Sequence, residues 1–160
     1  MSKSTRREGN ENNRSICQNR KARFNYEILD ELECGVMLLG SEVKSIRGGK
    51  VSLDEAYARI RGNELWLINC DIAPLPQASL LNHEPRRERK LLLHRRELRK
   101  FAEQADLKGL TLVPLAVYLK EGKIKLSVAI ARGKQLHDKR ESLKKSEADR
   151  EMRQALKRDR

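Results

Sequence analysis

Aromatic side chains are few: two Phe, three Tyr and one Trp, 4% of the 160 residues. That scarcity argues against a single-strand reader that stacks base after base on ring faces. Cysteine is limited to Cys17, Cys34 and Cys70. An odd number at wide spacing fits no disulfide scaffold and points to a reducing cytoplasm. No apolar run approaches the ~20 residues that span a bilayer, so no membrane partner is expected. The first fifteen residues, MSKSTRREGNENNRS, hold no apolar core, so no secretory signal is expected. His83, His94 and His137 lie in separate segments, and there is no Cys-x-x-Cys or His-Glu-x-x-His. Neither a metal nor a cofactor is therefore expected. Phosphate-binding Gly-x-x-x-x-Gly-Lys-Ser/Thr loops and Gly-x-Ser-x-Gly elbows are also missing. Glu31 and Glu33 come nearest to an acid–base pair, and a solvated strand face explains them better. The expectation is a protein that is not an enzyme.

What is abundant is charge, 36% of residues, with 35 Lys plus Arg against 23 Asp plus Glu and a formal net charge of +12. Residues 1–20 carry +3 with almost nothing apolar, residues 21–131 carry +4, and residues 132–160 carry +5. The first zone cannot bury enough surface to offset its ordering entropy and reads as a flexible arm over 1–18. The middle zone holds nearly all the Val, Ile, Leu and aromatics and reads as one folded domain over 19–131. The last zone, 132–160, is a basic tail. Ala148, Met152, Ala155 and Leu156 share a weak helical stripe there, so it reads as disordered or conditionally helical. Basic arms on a compact body are a layout that grips nucleic acid.

Within the domain, Phe24, Tyr26 and Ile28 alternate as in a half-buried strand. Cys34 to Leu39 reads as a second strand running on toward Val43 and Ile46, with Gly40 as a bulge. Ser52 and Glu55 have capping-box spacing, which predicts a short helical turn. Tyr57–Ile60 and Leu65–Asp71 flank a hairpin turn at 61–64, and Leu110–Leu119 and Ile124–Ile130 flank another at 120–123. Pro114 lacks a donor, so its strand is expected at an edge or bulged. Leu98, Phe101, Ala102 and Ala105 mark one face of a helix that His94 opens, with Glu97 in the capping-box position and an end at Lys108-Gly109. About six short strands predict a mainly β fold, a small antiparallel barrel with peripheral helices.

Basic residues cluster in three places: Arg20, Lys21 and Arg23; Lys44, Arg47 and Lys50; and eight Lys or Arg over residues 86–100. The last group places Arg86, Arg87, Arg89 and Lys90 before the helix and Arg95, Arg96, Arg99 and Lys100 on it. Lys and Arg beside Gly48-Gly49 suit a phosphate backbone, which glycine lets approach closely. With aromatics scarce, recognition of a folded RNA by shape, phosphates and sugars is favoured.

The strings NRKARFNYEI at 19–28, GSEVKSIRGGKVSL at 40–53, RKLLLHRREL at 89–98, GLTLVPLAVYLKEGKIKLSVAIARGK at 109–134 and HDKRES at 137–142 resemble the bacterial SsrA-binding protein (SmpB) family. The resemblance covers residues 19 to about 145. It implies an oligonucleotide-binding-like β-barrel and an adaptor that binds transfer-messenger RNA and delivers it to stalled ribosomes for trans-translation. It implies no catalysis. Carried over by position, the RNA-binding face would include Asn19, Lys21, Arg23, Glu33, Glu42, Lys44, Arg47 and Leu92, with Arg20, Lys50 and Lys90 from the basic clusters beside them. A carboxylate there would accept hydrogen bonds from base edges or 2′-hydroxyls, or orient a neighbouring Arg. For Leu92, core packing is the alternative. The resemblance further implies a ribosome-engaging tail carrying Gly133, Lys134, His137, Asp138, Lys139 and Arg140, which would enter the vacant mRNA channel and meet rRNA at the decoding site. Phe24 and Gln135 depart from the family pattern, where a His and a second Lys are common. The expected partners are thus transfer-messenger RNA and the ribosome, met by a monomer. A general RNA chaperone or ribosome-associated protein of the same fold is the alternative.

Overall fold

A computed structural model describes residues 13–106 and 109–158. In chain order the elements are β1 (Arg14–Gln18), α1 (Arg20–Asn25), β2 (Tyr26–Val36), α2 (Gly40–Arg47), β3 (Val51–Ser52), β4 (Tyr57–Arg61), β5 (Glu64–Ile68) and β6 (Asp71–Ile72). A 3-10 turn (Pro76–Leu81) follows, then β7 (Arg89–Leu92), α3 (Arg95–Ala105), β8 (Leu110–Lys120), β9 (Lys123–Gly133) and α4 (Leu136–Arg158). The fold is mainly β, with helices around the sheet.

Seven strands pair in the order β1-β8-β4-β5-β7-β2-β9, and β8 also pairs with β9. The pairing of six strands therefore returns on itself, and β1 adds outside the ring of pairings. Strands β3 and β6 form a separate two-stranded ribbon. The β8–β9 hairpin turns at Glu121 and Gly122, whose φ values of 53° and 75° give the left-handed two-residue turn that suits strand twist. Away from the turn its strands are apolar on both faces because both are covered there. Leu112, Val117, Leu126, Val128 and Ile130 join the main core with Leu65, Leu67, Leu91 and, from α3, Leu98 and Phe101. Val113, Leu115, Ala129 and Ala131 point the other way, onto Ala22 of α1. Pro114 sits at a register shift, Pro114/Ala116, in a strand that has neighbours on both sides, so the bulged option holds and the edge option does not.

Several expectations need correction. The segment from Gly40 is helix α2, not a continuing strand. It buries Glu42, Ser45 and Ile46, spaced as one helical face, and Glu42 accepts the Leu39 N–H at 2.8 Å. Phe24 belongs to α1, so only Tyr26 and Ile28 of the alternating set are in the strand. Ser52 ends β3 and accepts the Asp54 N–H at 3.4 Å, making a turn in place of a capped helix. Arg14–Gln18, expected in a loose arm, pairs along β8 because that strand's ladder offers unpaired backbone groups; residues 1–12 lie outside the described set. Strand β7 has no recognisable strand signal in the sequence, since its buried positions include Arg89. Helix α3 starts as expected, with Glu97 accepting the His94 N–H at 3.2 Å, and ends at Ala105. The tail forms helix α4. No helix among the described residues is long and apolar enough to cross a membrane.

Candidate nucleic-acid interface

Helix α1 is short, and a single side chain sets its start. Asn19 accepts the Ala22 N–H at 3.1 Å and donates to the Pro114 and Leu53 carbonyls at 3.0 and 3.2 Å. It is 4% exposed, so it has no surface to offer a ligand. A direct contact from Asn19 is corrected to a positioning role. What it positions is Arg20, Lys21 and Arg23, all exposed on α1. Lys21 lies 4.0 Å from Asp54, and Arg23 3.4 Å from Glu31.

Glu42 is also misplaced as a contact residue. It is fully buried and takes hydrogen bonds from Arg87 at 2.7 Å to each oxygen and from Arg89 at 2.9 Å. Burial alone would raise its pKa, but the two guanidinium groups and the Leu39 N–H hold the carboxyl below its ordinary range. Of the two uses a carboxylate had here, orienting an Arg is the one the geometry provides. Arg89 is buried too, and donates to the carbonyls of Cys70 and Pro85 at 2.8 and 3.1 Å. Two of the eight cations over 86–100 thus tie the loop before β7 to α2 and leave the solvent surface to the rest.

On the outer face of β2, Glu33 is exposed and held. Tyr118 donates its hydroxyl to it, and Lys120 approaches at 3.1 Å. The Tyr118 bond does most to lower the Glu33 pKa; burial opposes it, and Lys120 and Lys125 lower it further. Burial and the same bond raise that of Tyr118. The result is an ionised carboxylate of fixed orientation among cations, able to accept from an amino group or a 2′-hydroxyl. Nearby, the exposed Arg47 donates to the Gly122 carbonyl at 3.0 Å, which joins the end of α2 to the β8–β9 turn. Lys44 and Lys50 flank it, both exposed.

A third surface lies between β7 and α3. Leu92 is 45% exposed, so core packing is not its role. Together with Lys90, Arg95 and Arg99 it lines a cleft of about 560 Å³. Lys90 reaches Glu64 at 2.6 Å across the same cleft. Arg95, Arg96, Arg99 and Lys100 are exposed, away from the buried Leu98 and Phe101.

The tail starts beside the α1 surface. Beyond Gly133, Lys134 ties the helix start to the body, its amine donating to the Arg23 carbonyl at 3.3 Å and Ser142 Oγ at 2.9 Å. Asp138 accepts the Gln135 N–H at 3.3 Å, a cap on the first turn, and lies 2.9 Å from His137. Arg140 is exposed and Lys139 partly so.

Sequence reasoning missed Tyr118 and Lys120 as partners of Glu33, which sit some 85 residues away with no local signal. No group of three or more potential metal ligands occurs among the described residues. Burial pushes the Cys34 and Cys70 thiols up to about 12, which keeps them unreactive.

The family model described as SmpB protein matches residues 16–158. Curated relatives named SsrA-binding protein include one from Thermosynechococcus vestitus, 54% identical over 89% of this chain and 94% of its own. Another, from Rhodopirellula baltica, is 55% identical over 89% of this chain and 82% of its own. A solved structure described as "tmRNA-SmpB: a journey to the center of the bacterial ribosome" superposes with a TM-score of 0.64 at 47% identity, over 79% of this chain and 93% of that one.

Proposed function

The chain belongs to the SmpB family, and from that premise we propose that it binds transfer-messenger RNA and brings it to stalled ribosomes for trans-translation. The observation that carries the reading is the division of exposed cations between a β body and a projecting 23-residue helix. A body rich in phosphate-seeking side chains grips the tRNA-like part of the RNA. Its contact residues are Arg20, Lys21, Arg23, Lys44, Arg47 and Lys50, with Leu92 and Lys90 at the α3 cleft. Glu33 supplies the one fixed acceptor, and Asn19 and Glu42 hold α1 and α2 in place. The helix, with His137, Asp138, Lys139 and Arg140 at its start, engages rRNA at the decoding site and in the vacant mRNA channel.

The cyclic strand pairing supports reading the sheet as a small oligonucleotide-binding-like barrel, with residues 19–131 as the RNA-binding unit and 132–160 as the ribosomal one. The protein acts as a monomer in the cytoplasm, with no catalytic step of its own.

Sequencing the RNA recovered with the protein from cells tests this. One dominant transfer-messenger RNA is expected. A broad mixture of RNAs would favour a general RNA chaperone and overturn the reading.

A further inference from the structure

We propose that the cleft between α1 and α4 binds the sugar–phosphate backbone of a single RNA strand, which fixes the helix against the body. The inference rests on the RNA-binding reading and adds a site to it. The cleft has a volume of about 960 Å³. Arg23 projects into it from α1, and Lys145, Arg150, Arg153 and Lys157 from α4, against one carboxylate, Asp149. Among the described residues the four helix cations form no ion pair, while Arg23 shares its charge with Glu31 at 3.4 Å. At a rise of 1.5 Å per residue the four are spaced about 4.5 to 7.5 Å along the axis, the scale of successive phosphates in an extended strand.

A helix normally turns an apolar stripe to the body it packs on. Helix α4 does not: Leu136, Leu143, Met152 and Leu156 are 76, 48, 64 and 65% exposed. The face that lines the cleft is cationic, and so is the opposite wall at Arg23. Like charges on two walls repel, and the bonds of Lys134 to Arg23 and Ser142 tie only the helix start. A polyanion in the cleft neutralises both walls and supplies the attraction that packing does not. Among the described residues no aromatic lines the cleft, so bases find no stacking face and contact is with phosphates, independent of sequence. Such contact suits a flexible strand that follows the row of cations better than a rigid duplex.

The test uses full-length protein and dodecauridylate, titrated across salt. Arg150→Gln combined with Arg153→Gln removes two cleft cations. Arg59→Gln combined with Lys144→Gln removes two exposed cations elsewhere, Lys144 being on the opposite face of α4. The cleft pair is expected to lower the log–log salt slope by about 1.4 and the affinity near physiological salt about tenfold, at ~0.7 per phosphate lost. The control pair is expected to change affinity less than about twofold. Amide exchange over α4 is expected to slow when dodecauridylate is added to the native chain, but not to the cleft variant. Equal losses in both variants, no loss in either, or unchanged exchange in α4 would overturn the cleft site. Transfer-messenger RNA bound by the native chain alongside any of these results leaves the RNA-binding reading standing, whereas no RNA binding at all would remove that reading itself.

Discussion

Glu42 receives four hydrogen bonds from three residues, and two of them, Arg87 just before β7 and Arg89 at its start, lie more than forty residues away. Replacing it by Gln keeps the shape and removes the charge that balances a buried guanidinium. Glu42→Gln is expected to cost about 3–5 kcal/mol in urea unfolding at neutral pH, the usual penalty for orphaning a buried charge. Because its folded pKa is depressed, the stability it contributes is present above the unfolded carboxyl pKa, about 4.3. It is lost as pH falls through the lower folded value. The gap in melting temperature between native and variant protein should therefore be wide at pH 7 and narrow toward pH 3. At the surface, Tyr118→Phe removes the first contributor to the low Glu33 pKa. An NMR titration of the Glu33 carboxyl should show it moving up toward the ordinary range, with weaker RNA binding and an unchanged melting temperature.

Among the elements, the β8–β9 hairpin was open to sequence reading because its signals are local: alternating apolar residues, a Glu-Gly turn and two long strands. Helix α3 was equally readable from its repeat and from Glu97 at the capping position. Helix α2 was not, because its buried face includes Glu42 and Ser45, which look like solvent residues until Arg87 and Arg89 are brought to them. Strand β7 was hidden for the same reason. Arg89 and Leu91 point in while Lys90 and Leu92 point out, so the visible pattern is the reverse of a basic surface with an apolar core. In the interface, the clusters on α1 and at the end of α2 were legible as charge, whereas the Asn19 bonds and the Tyr118–Glu33 pair depend on contacts across the sheet. At this scale, Asn19→Ala is expected to cost about 1–2 kcal/mol as a lost helix cap, with the Pro114 and Leu53 carbonyls left unpaired. RNA affinity should fall with it, since α1 carries three exposed cations, and a thermal melt beside a binding titration would show both.

For the whole molecule, the proposed division between body and tail predicts that the two jobs are separable. Ending the chain at residue 132 removes no residue of the main or the α1-facing core. The truncated protein should melt as the native one does and still prefer transfer-messenger RNA over unstructured RNA. Its affinity for transfer-messenger RNA should be weaker by about tenfold or less from lost long-range attraction. Tagging of stalled peptides should cease, as it should when Asp138, Lys139 and Arg140 are changed together to Ala. Normal tagging by either variant in a reconstituted translation reaction would contradict the division. If the proposed body contacts engage roughly five phosphates, the full chain should show a log–log salt slope near −3.5 or steeper.

The closed round of strand pairing also has a consequence in time. Among the described residues strand β2 pairs with β7 and β9 alone, and β9 begins at Lys123. During synthesis at about 5–20 residues per second, β2 waits on the order of ten seconds before its longer partner exists. Until Gly133 has left the exit tunnel, the emerging chain carries an unpaired strand edge and an unfinished core, and pairings this distant in sequence form slowly even afterwards. Ribosome-bound chains halted before Lys123 should be cut readily by protease, and chains halted well past Gly133 should resist it. The protein is therefore most vulnerable while it is itself a nascent chain, until β9 has emerged to pair with β2.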